Sequence, residues 1–149
     1  MERIIRTNNE NADFIALVKA LDLHLKILDG DDHAFYAQFN NMAALKYAVV
    51  LYVNDVPVGC GALKPFAENS MEVKRMYVIP EYRNKGIATK VLLELERWAR
   101  ELAYQKCVLE TGKRQPDAIR LYEKNGYVGI PNFGQYERDE NSVCFEKVL

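Results

Sequence analysis

Arg83, Lys85, Gly86 and Ala88 stand within six residues of one another, just past a strand-like run, Val73-Lys74-Arg75-Met76-Tyr77-Val78-Ile79. Pro80 stops that run, because proline has no N–H to give to a ladder. A long helical pattern begins at about Asn84. The first turn of a helix leaves backbone N–H groups unpaired, and the macrodipole places roughly half a positive charge there. Gly86 lets the backbone approach a ligand, Ala88 keeps the next contact small, and Arg83 and Lys85 add full charges. The chemistry this stretch suits is the holding of a phosphate or pyrophosphate. It is not a Walker A loop, since no Gly-x-x-x-x-Gly-Lys-Ser/Thr occurs.

Downstream lies a second group of residues, Leu109-Glu110-Thr111-Gly112 followed by Ala118-Ile119-x-Leu121-Tyr122-x-Lys124-x-Gly126-Tyr127. On its own, Arg-x-x-Gly-x-Ala also fits a basic helix start in any α/β protein. Preceded by Met-Tyr-Val-Ile-Pro and followed by the second group, it resembles the pyrophosphate loop of the GNAT (Gcn5-related) N-acetyltransferases. The resemblance implies acetyl-CoA as co-substrate, with no metal. It implies that the backbone of Met76, Tyr77 and Val78 pairs with the pantetheine amides like an added strand. Arg83, Asn84, Lys85, Gly86, Ile87, Ala88 and Thr89 would hold the pyrophosphate, with Lys124 nearby.

Three residues carry the catalytic expectation. Tyr122 matches the family's tyrosine near the sulfur of CoA; a phenol of pKa about 10 can protonate a departing thiolate. The amine must also lose a proton, since an alkylammonium has no lone pair. Glu72 aligns with the base of the superfamily's histone acetyltransferases, and Glu110 is the rival on the neighbouring strand. A water chain without a single base is the third option, and either carboxylate can instead be a structural partner of Lys74, Arg75 or Arg114. Cys107 and Cys144 sit in apolar strand settings, where burial raises a thiol's pKa, so an acetyl-cysteine intermediate is not expected. In the superfamily the first two helices wall the acceptor site, which implies His33, Tyr36 and Phe39 here. Arg75 is a bidentate partner for a substrate carboxylate. His24 and His33 make no metal set.

Composition bounds the reading. The chain has 149 residues, 49% apolar and 28% charged, with net charge −1. That fits a single globular domain over 1–149, burying about two-thirds of its unfolded surface. A near-neutral charge argues against nucleic acid as the main partner. No apolar run approaches the roughly 20 residues of a membrane span, and the first residues lack a signal peptide's apolar core. Cys60, Cys107 and Cys144 read as reduced, buried thiols, so the expected compartment is the cytoplasm.

The elements that must position these groups follow from spacing. Arg3 to Arg6 is a first strand, and Thr7 with Glu10 forms a capping box. Phe14, Leu17, Val18, Leu21, Leu25 and Leu28 make one face of a helix ended by Asp29-Gly30-Asp31-Asp32, and His33 to Asn41 is a second, shorter one. Tyr47–Val53 and Val56–Leu63 are strands about an Asn54-Asp55 turn. Met71 to Ile79 is the next strand. The long helix carries Ile87, Val91, Leu95, Trp98 and Leu102 on one stripe, with Lys90/Glu94, Glu96/Arg100 and Arg97/Glu101 on its wet side. Cys107–Thr111, a helix from Pro116 to the αL position Gly126, Tyr127–Ile130 and Ser142–Val148 complete the chain. This order is that of the GNAT fold: a mixed, mostly antiparallel sheet of six to seven strands with about four helices, splayed between the fourth and fifth strands.

The function implied is transfer of acetyl from acetyl-CoA to a primary amine of a small molecule, an amino acid or related metabolite, directly in a ternary complex. The alternatives are a non-catalytic acetyl-CoA sensor and an acetyltransferase of protein amines. The expected assembly is a monomer or homodimer.

Overall fold

A computed structural model of the chain describes residues 1–29 and 42–149. The expected helix from His33 to Asn41, and with it the candidate acceptor residues His33, Tyr36 and Phe39, lies outside them. In order come β1 (Glu2–Thr7), α1 (Ala12–Asp29), β2 (Tyr47–Val53), β3 (Val56–Ala67), β4 (Ser70–Val78), α2 (Ile87–Glu101), β5 (Lys106–Gly112), α3 (Pro116–Lys124), β6 (Val128–Ile130) and β7 (Ser142–Val148). The strands form one seven-stranded sheet in the order β1-β2-β3-β4-β5-β7-β6. Neighbours run antiparallel except β4 and β5, which are parallel. Their pairing covers only Ser70–Glu72 against Lys106–Val108. Beyond Glu72 the two strands part.

Alternation along the strands sends side chains to two cores, one on each face. On one face Phe14, Leu17 and Val18 of α1 pack against Ala48, Val50, Cys60 and Ala62. On the other, Ile87, Val91, Leu92 and Leu95 of α2 pack against Val49, Leu51, Val58 and Val73. A Cβ built on Gly61 would stand 2.6 Å from Met76 Sδ and 2.8 Å from Leu95 Cδ1, so glycine is what lets α2 lie this close to β3. Asn54 and Asp55 both take positive φ, 50° and 66°, the geometry of the tight hairpin expected there.

One irregularity in β4 shapes the cleft. Cys60 pairs with Tyr77 and Ala62 with Lys74, so Arg75 and Met76 together oppose Gly61. This is a bulge, with Arg75 at φ 60°. A non-glycine residue in the left-handed region costs on the order of 1–3 kcal/mol. In a regular strand Arg75 would turn to the α2 face. The bulge instead turns it towards α1, where its Nη1 donates to Asp22 Oδ1 at 2.5 Å.

Three local expectations are corrected. The cap of α1 is Asn11, whose Oδ1 accepts the Phe14 N–H at 2.9 Å, while Asn8 Oδ1 accepts the Glu10 N–H. Thr7 is held in the sheet opposite Ala48 and caps nothing. The long helix starts at Ile87, because Asn84 and Gly86 are both left-handed (φ 63° and 79°). Glu96 is fully buried, not on a wet face. It accepts hydrogen bonds from Tyr127 OH at 3.0 Å and Lys147 Nζ at 2.8 Å, two side chains that reach it from the C-terminal part of the chain. Lys90 and Arg97 do stay outside, on Glu2 and Glu94.

Candidate active site

Where β4 and β5 separate, a cleft of about 850 Å³ opens. Its walls are Glu72–Val78 of β4, Glu110–Gly112 of β5, the face of α3 from Ala118 to Lys124, and Leu21, His24, Leu25 and Leu28 of α1. The edge of β4 beyond Glu72 has no ladder partner on the β5 side, so Met76, Tyr77 and Val78 present backbone groups to the cleft. Buried backbone groups of this kind require partners.

At the outer end of the cleft, Pro80–Tyr82 forms one 3₁₀ turn and the chain swings through Asn84 and Gly86 into α2. Gly86, Ile87, Ala88 and Thr89 line the mouth. The first N–H groups of a helix have no intrahelical acceptor, so these point at whatever occupies the mouth. A Cβ on Gly86 would meet no atom within 4 Å. The glycine is therefore required by its φ of 79° and borders open space. Arg83 is partly committed within the chain: its Nε donates to Val78 O at 2.9 Å and its guanidinium lies 5.5 Å from the Tyr77 ring centroid. Lys85 sits 5.2 Å from the Tyr82 ring centroid. Asn125 Nδ2, at the end of α3, reaches Thr89 Oγ1 at 3.4 Å and ties the two walls of the mouth together. Lys124 also lines the cleft. Of the residues expected to hold a pyrophosphate, Arg83, Asn84, Gly86, Ile87, Ala88, Thr89 and Lys124 line this one opening, while Lys85 does not.

The inner end holds the ionisable side chains. Tyr122 is buried, with its ring 5.7 Å from that of Tyr127 in an edge-to-face arrangement, and it lines the cleft. Burial, reinforced by the charge of Glu110, pushes its phenol well above the ordinary range, so it holds its proton. Glu72 and Glu110 differ sharply. Glu72 is 3% exposed and closes a triangle: Lys74 Nζ donates to its Oε2 at 3.4 Å and to Tyr136 OH at 3.2 Å, and Tyr136 OH donates to the same Oε2 at 3.3 Å. Glu110 is half-buried and accepts Ser142 Oγ–H at 2.6 Å. Burial pushes its carboxyl up to about 7, against the opposing pull of the Ser142 hydrogen bond and of Lys74. A carboxyl poised near neutrality can exchange protons at physiological pH.

The thiols are of the other kind. All three cysteines are free and buried, and burial pushes Cys60 and Cys107 up to about 12 and Cys144 to about 11. Arg75 lines the cleft with its guanidinium on Asp22. Tyr136, Ser142 and Asp22 had no signal in the sequence. Tyr136 is one aromatic residue in a polar loop, and Ser142 opens a strand; only the register of β7 against β5, which sets Ser142 opposite Gly112, brings that hydroxyl to Glu110. Among the described residues, no cluster of three or more His, Cys, Asp or Glu side chains could hold a metal ion, and no helix is long and apolar enough to cross a membrane.

The profile of the Acetyltransferase (GNAT) family matches residues 17–127. An IAA acetyltransferase of Azospirillum brasilense is 40% identical over 93 residues, 62% of this chain and 61% of that protein. The uncharacterized N-acetyltransferase YjgM of Escherichia coli is 38% identical over 87 residues, 56% of this chain and 52% of that protein. The matches therefore span less than two-thirds of these relatives' own lengths. In structure, a Klebsiella pneumoniae protein assigned as an acyl-CoA N-acyltransferase superposes with a TM-score of 0.83 at 34% identity, covering 100% of this chain and 98% of that one. The PaiA N-acetyltransferase of Thermoplasma acidophilum, solved in complex with coenzyme A, shares the fold with a TM-score of 0.75 at 19% identity over 100% and 99% of the two chains. With the parted β4 and β5 and the left-handed turn into α2, these matches make the chain a member of the GNAT acetyltransferase family.

Proposed function

We propose that this protein, as one domain over 1–149, is an acetyl-CoA-dependent N-acetyltransferase that acts on the primary amine of a small molecule by direct transfer. The observation that carries the reading is the cleft itself. At one end is a helix start with an open glycine turn, and at the other are a protonated phenol and a carboxyl near neutrality. The coenzyme A bound in the Thermoplasma neighbour and the acetyltransferase name of the Azospirillum relative support it.

The residues present fit the co-substrate. The β4 edge at Met76–Val78 offers backbone groups for amides, and the turn from Arg83 to Thr89 offers N–H groups and positive charge for a pyrophosphate. Acetyl-CoA supplies an activated thioester carbonyl and a thiolate leaving group. Glu110 takes the proton that the acceptor's ammonium must lose. Glu72 is the less available carboxylate, because Lys74 and Tyr136 already hydrogen-bond to its Oε2. Tyr122 holds its proton until a thiolate forms beside it, and general acids of this kind contribute about 10²–10⁴-fold. Buried Lys74 beside Glu72 and Glu110, and Arg75 elsewhere on the cleft wall, put positive charge in the cleft, which suits an acceptor carrying both an amine and a carboxylate.

Thiol release from acetyl-CoA, measured over a panel of primary amines that includes amino acids, peptides and polyamines, tests the reading. Amine-dependent release with a free amino acid or related metabolite is expected. Tight acetyl-CoA binding with no release for any amine would make the protein a sensor, and release with peptides alone would move the acceptor to proteins.

A further inference from the structure

Ser142 stands between two carboxylates. Its Oγ lies 2.6 Å from Glu110 Oε2 and 2.7 Å from Asp139 Oδ2. A hydroxyl carries one proton and can donate to only one of them. Two unprotonated carboxylates cannot both sit at hydrogen-bond distance from it without one facing lone pairs. The second contact needs a proton on one of the carboxyls, which then donates to Oγ. Three oxygens in a row therefore share two protons.

The row has direction. Glu110 faces the cleft, Ser142 is 3% exposed, and Asp139 is half-buried in the loop before β7. Resting on the reading of Glu110 as base, we propose that Ser142 and Asp139 are its proton exit, carrying the acceptor's proton from the closed inner end of the cleft to the loop surface. In the forward step the protonated Glu110 carboxyl gives its proton to Ser142 Oγ as Ser142 gives its own to Asp139 Oδ2. Glu110 becomes a carboxylate, Ser142 is unchanged, and Asp139 carries a proton that it releases to water. Asp139 is held in place for this by its Oδ1, which accepts the Asn141 N–H at 2.9 Å, and by its carbonyl, which accepts Asn132 Nδ2 at 3.0 Å.

The groups that face Glu110 are Glu72 and Lys74 from β4, Tyr122 from α3, Ser142 and Cys144 from β7, and Tyr136 and Asp139 from the loop. Ser142 and Asp139 act on it with opposite sign: the hydrogen bond favours its charged form, and the neighbouring anion disfavours it.

The test has two arms. The first follows the Glu110 carboxyl by ¹³C NMR in the protein without ligand. Ser142→Ala is expected to raise its titration midpoint by about one pH unit, Asp139→Asn to lower it, and Ser142→Thr, which keeps the hydroxyl, to leave it near the wild-type value. The second measures kcat/KM against pH with the primary amine that gives the highest turnover in the panel. The acidic limb should move in the same opposite directions, and the plateau should fall about tenfold in both Ser142→Ala and Asp139→Asn. Glu110→Gln separates the two ideas. Full turnover in that variant removes the base. Lost turnover in it, with Ser142→Ala and Asp139→Asn matching the wild type in limb and plateau, leaves the base and overturns the proton exit.

Discussion

At the mouth of the cleft the ligand-facing surface is drawn mainly from one stretch of sequence between Met76 and Thr89, joined by Lys124 of α3. At the inner end it is side chains, and they come from four places: Glu72 and Lys74 on β4, Glu110 on β5, Tyr122 on α3, and Tyr136 with Ser142 around the start of β7. The mouth depends on φ angles and on the start of a helix, so a single stretch can encode it. The inner end depends on distances between strands that are remote in sequence. One end recognises a group that every acetyl-CoA carries. The other must handle protons, and it does so with groups whose charge state burial and neighbouring charges decide.

The largest effect should come from breaking the backbone end. Gly86→Val puts a β-branched residue at φ 79°, which costs strain and thrusts methyl groups into the open space at the mouth. Losing two hydrogen bonds to a charged group, at about 1.5–3 kcal/mol each, lowers affinity by about 10²–10⁴-fold. Calorimetry with acetyl-CoA on the folded variant measures this. Wild-type affinity would show that the turn does not hold the co-substrate.

Next is the side-chain end. Tyr122→Phe keeps the ring that packs on Tyr127 and removes only the proton donor. Turnover should fall by on the order of 10²-fold with acetyl-CoA affinity unchanged, the mark of an interaction made in the transition state. Because burial pushes the phenol up, no basic limb from Tyr122 is expected in the ordinary pH range. Full turnover in the variant would mean that the thiolate leaves unaided or takes its proton from water. Equal losses of affinity and turnover would mean that the ring has moved.

The smallest effect is on stability. The folded Glu110 carboxyl is raised from 4.5 to about 7, so the folded state prefers it protonated. Its contribution is fully present below its unfolded pKa and is lost as pH rises through about 7. The melting temperature of the wild type should therefore fall across that window relative to Glu110→Gln, which cannot ionise. Parallel curves for the two proteins would mean that Glu110 is not desolvated in the folded state.

Much of this was legible in the chain. The hairpin at Asn54-Asp55, the apolar faces of α1 and α2, the halt at Pro80, the glycine turn and the strand order all follow from local rules: side-chain period, missing donors and φ preference. The place of Tyr122 at the cleft was expected from the resemblance to the GNAT acetyltransferases, not from such rules. Only tertiary structure decided the rest. Glu96 and Arg100 are four apart like any surface pair, yet the fold buries Glu96 and makes it an acceptor for Tyr127 and Lys147. Thr7 and Glu10 have the spacing of a capping box, but pairing with Ala48 keeps Thr7 in the sheet and leaves the cap to Asn11. The choice between Glu72 and Glu110 was open for the same reason. Both are glutamates in strands, and what separates them is that Lys74 and Tyr136 hydrogen-bond to one while Ser142, with Asp139 behind it, bonds to the other. Backbone conformation is set by neighbours in sequence. Ionisation is set by neighbours in space.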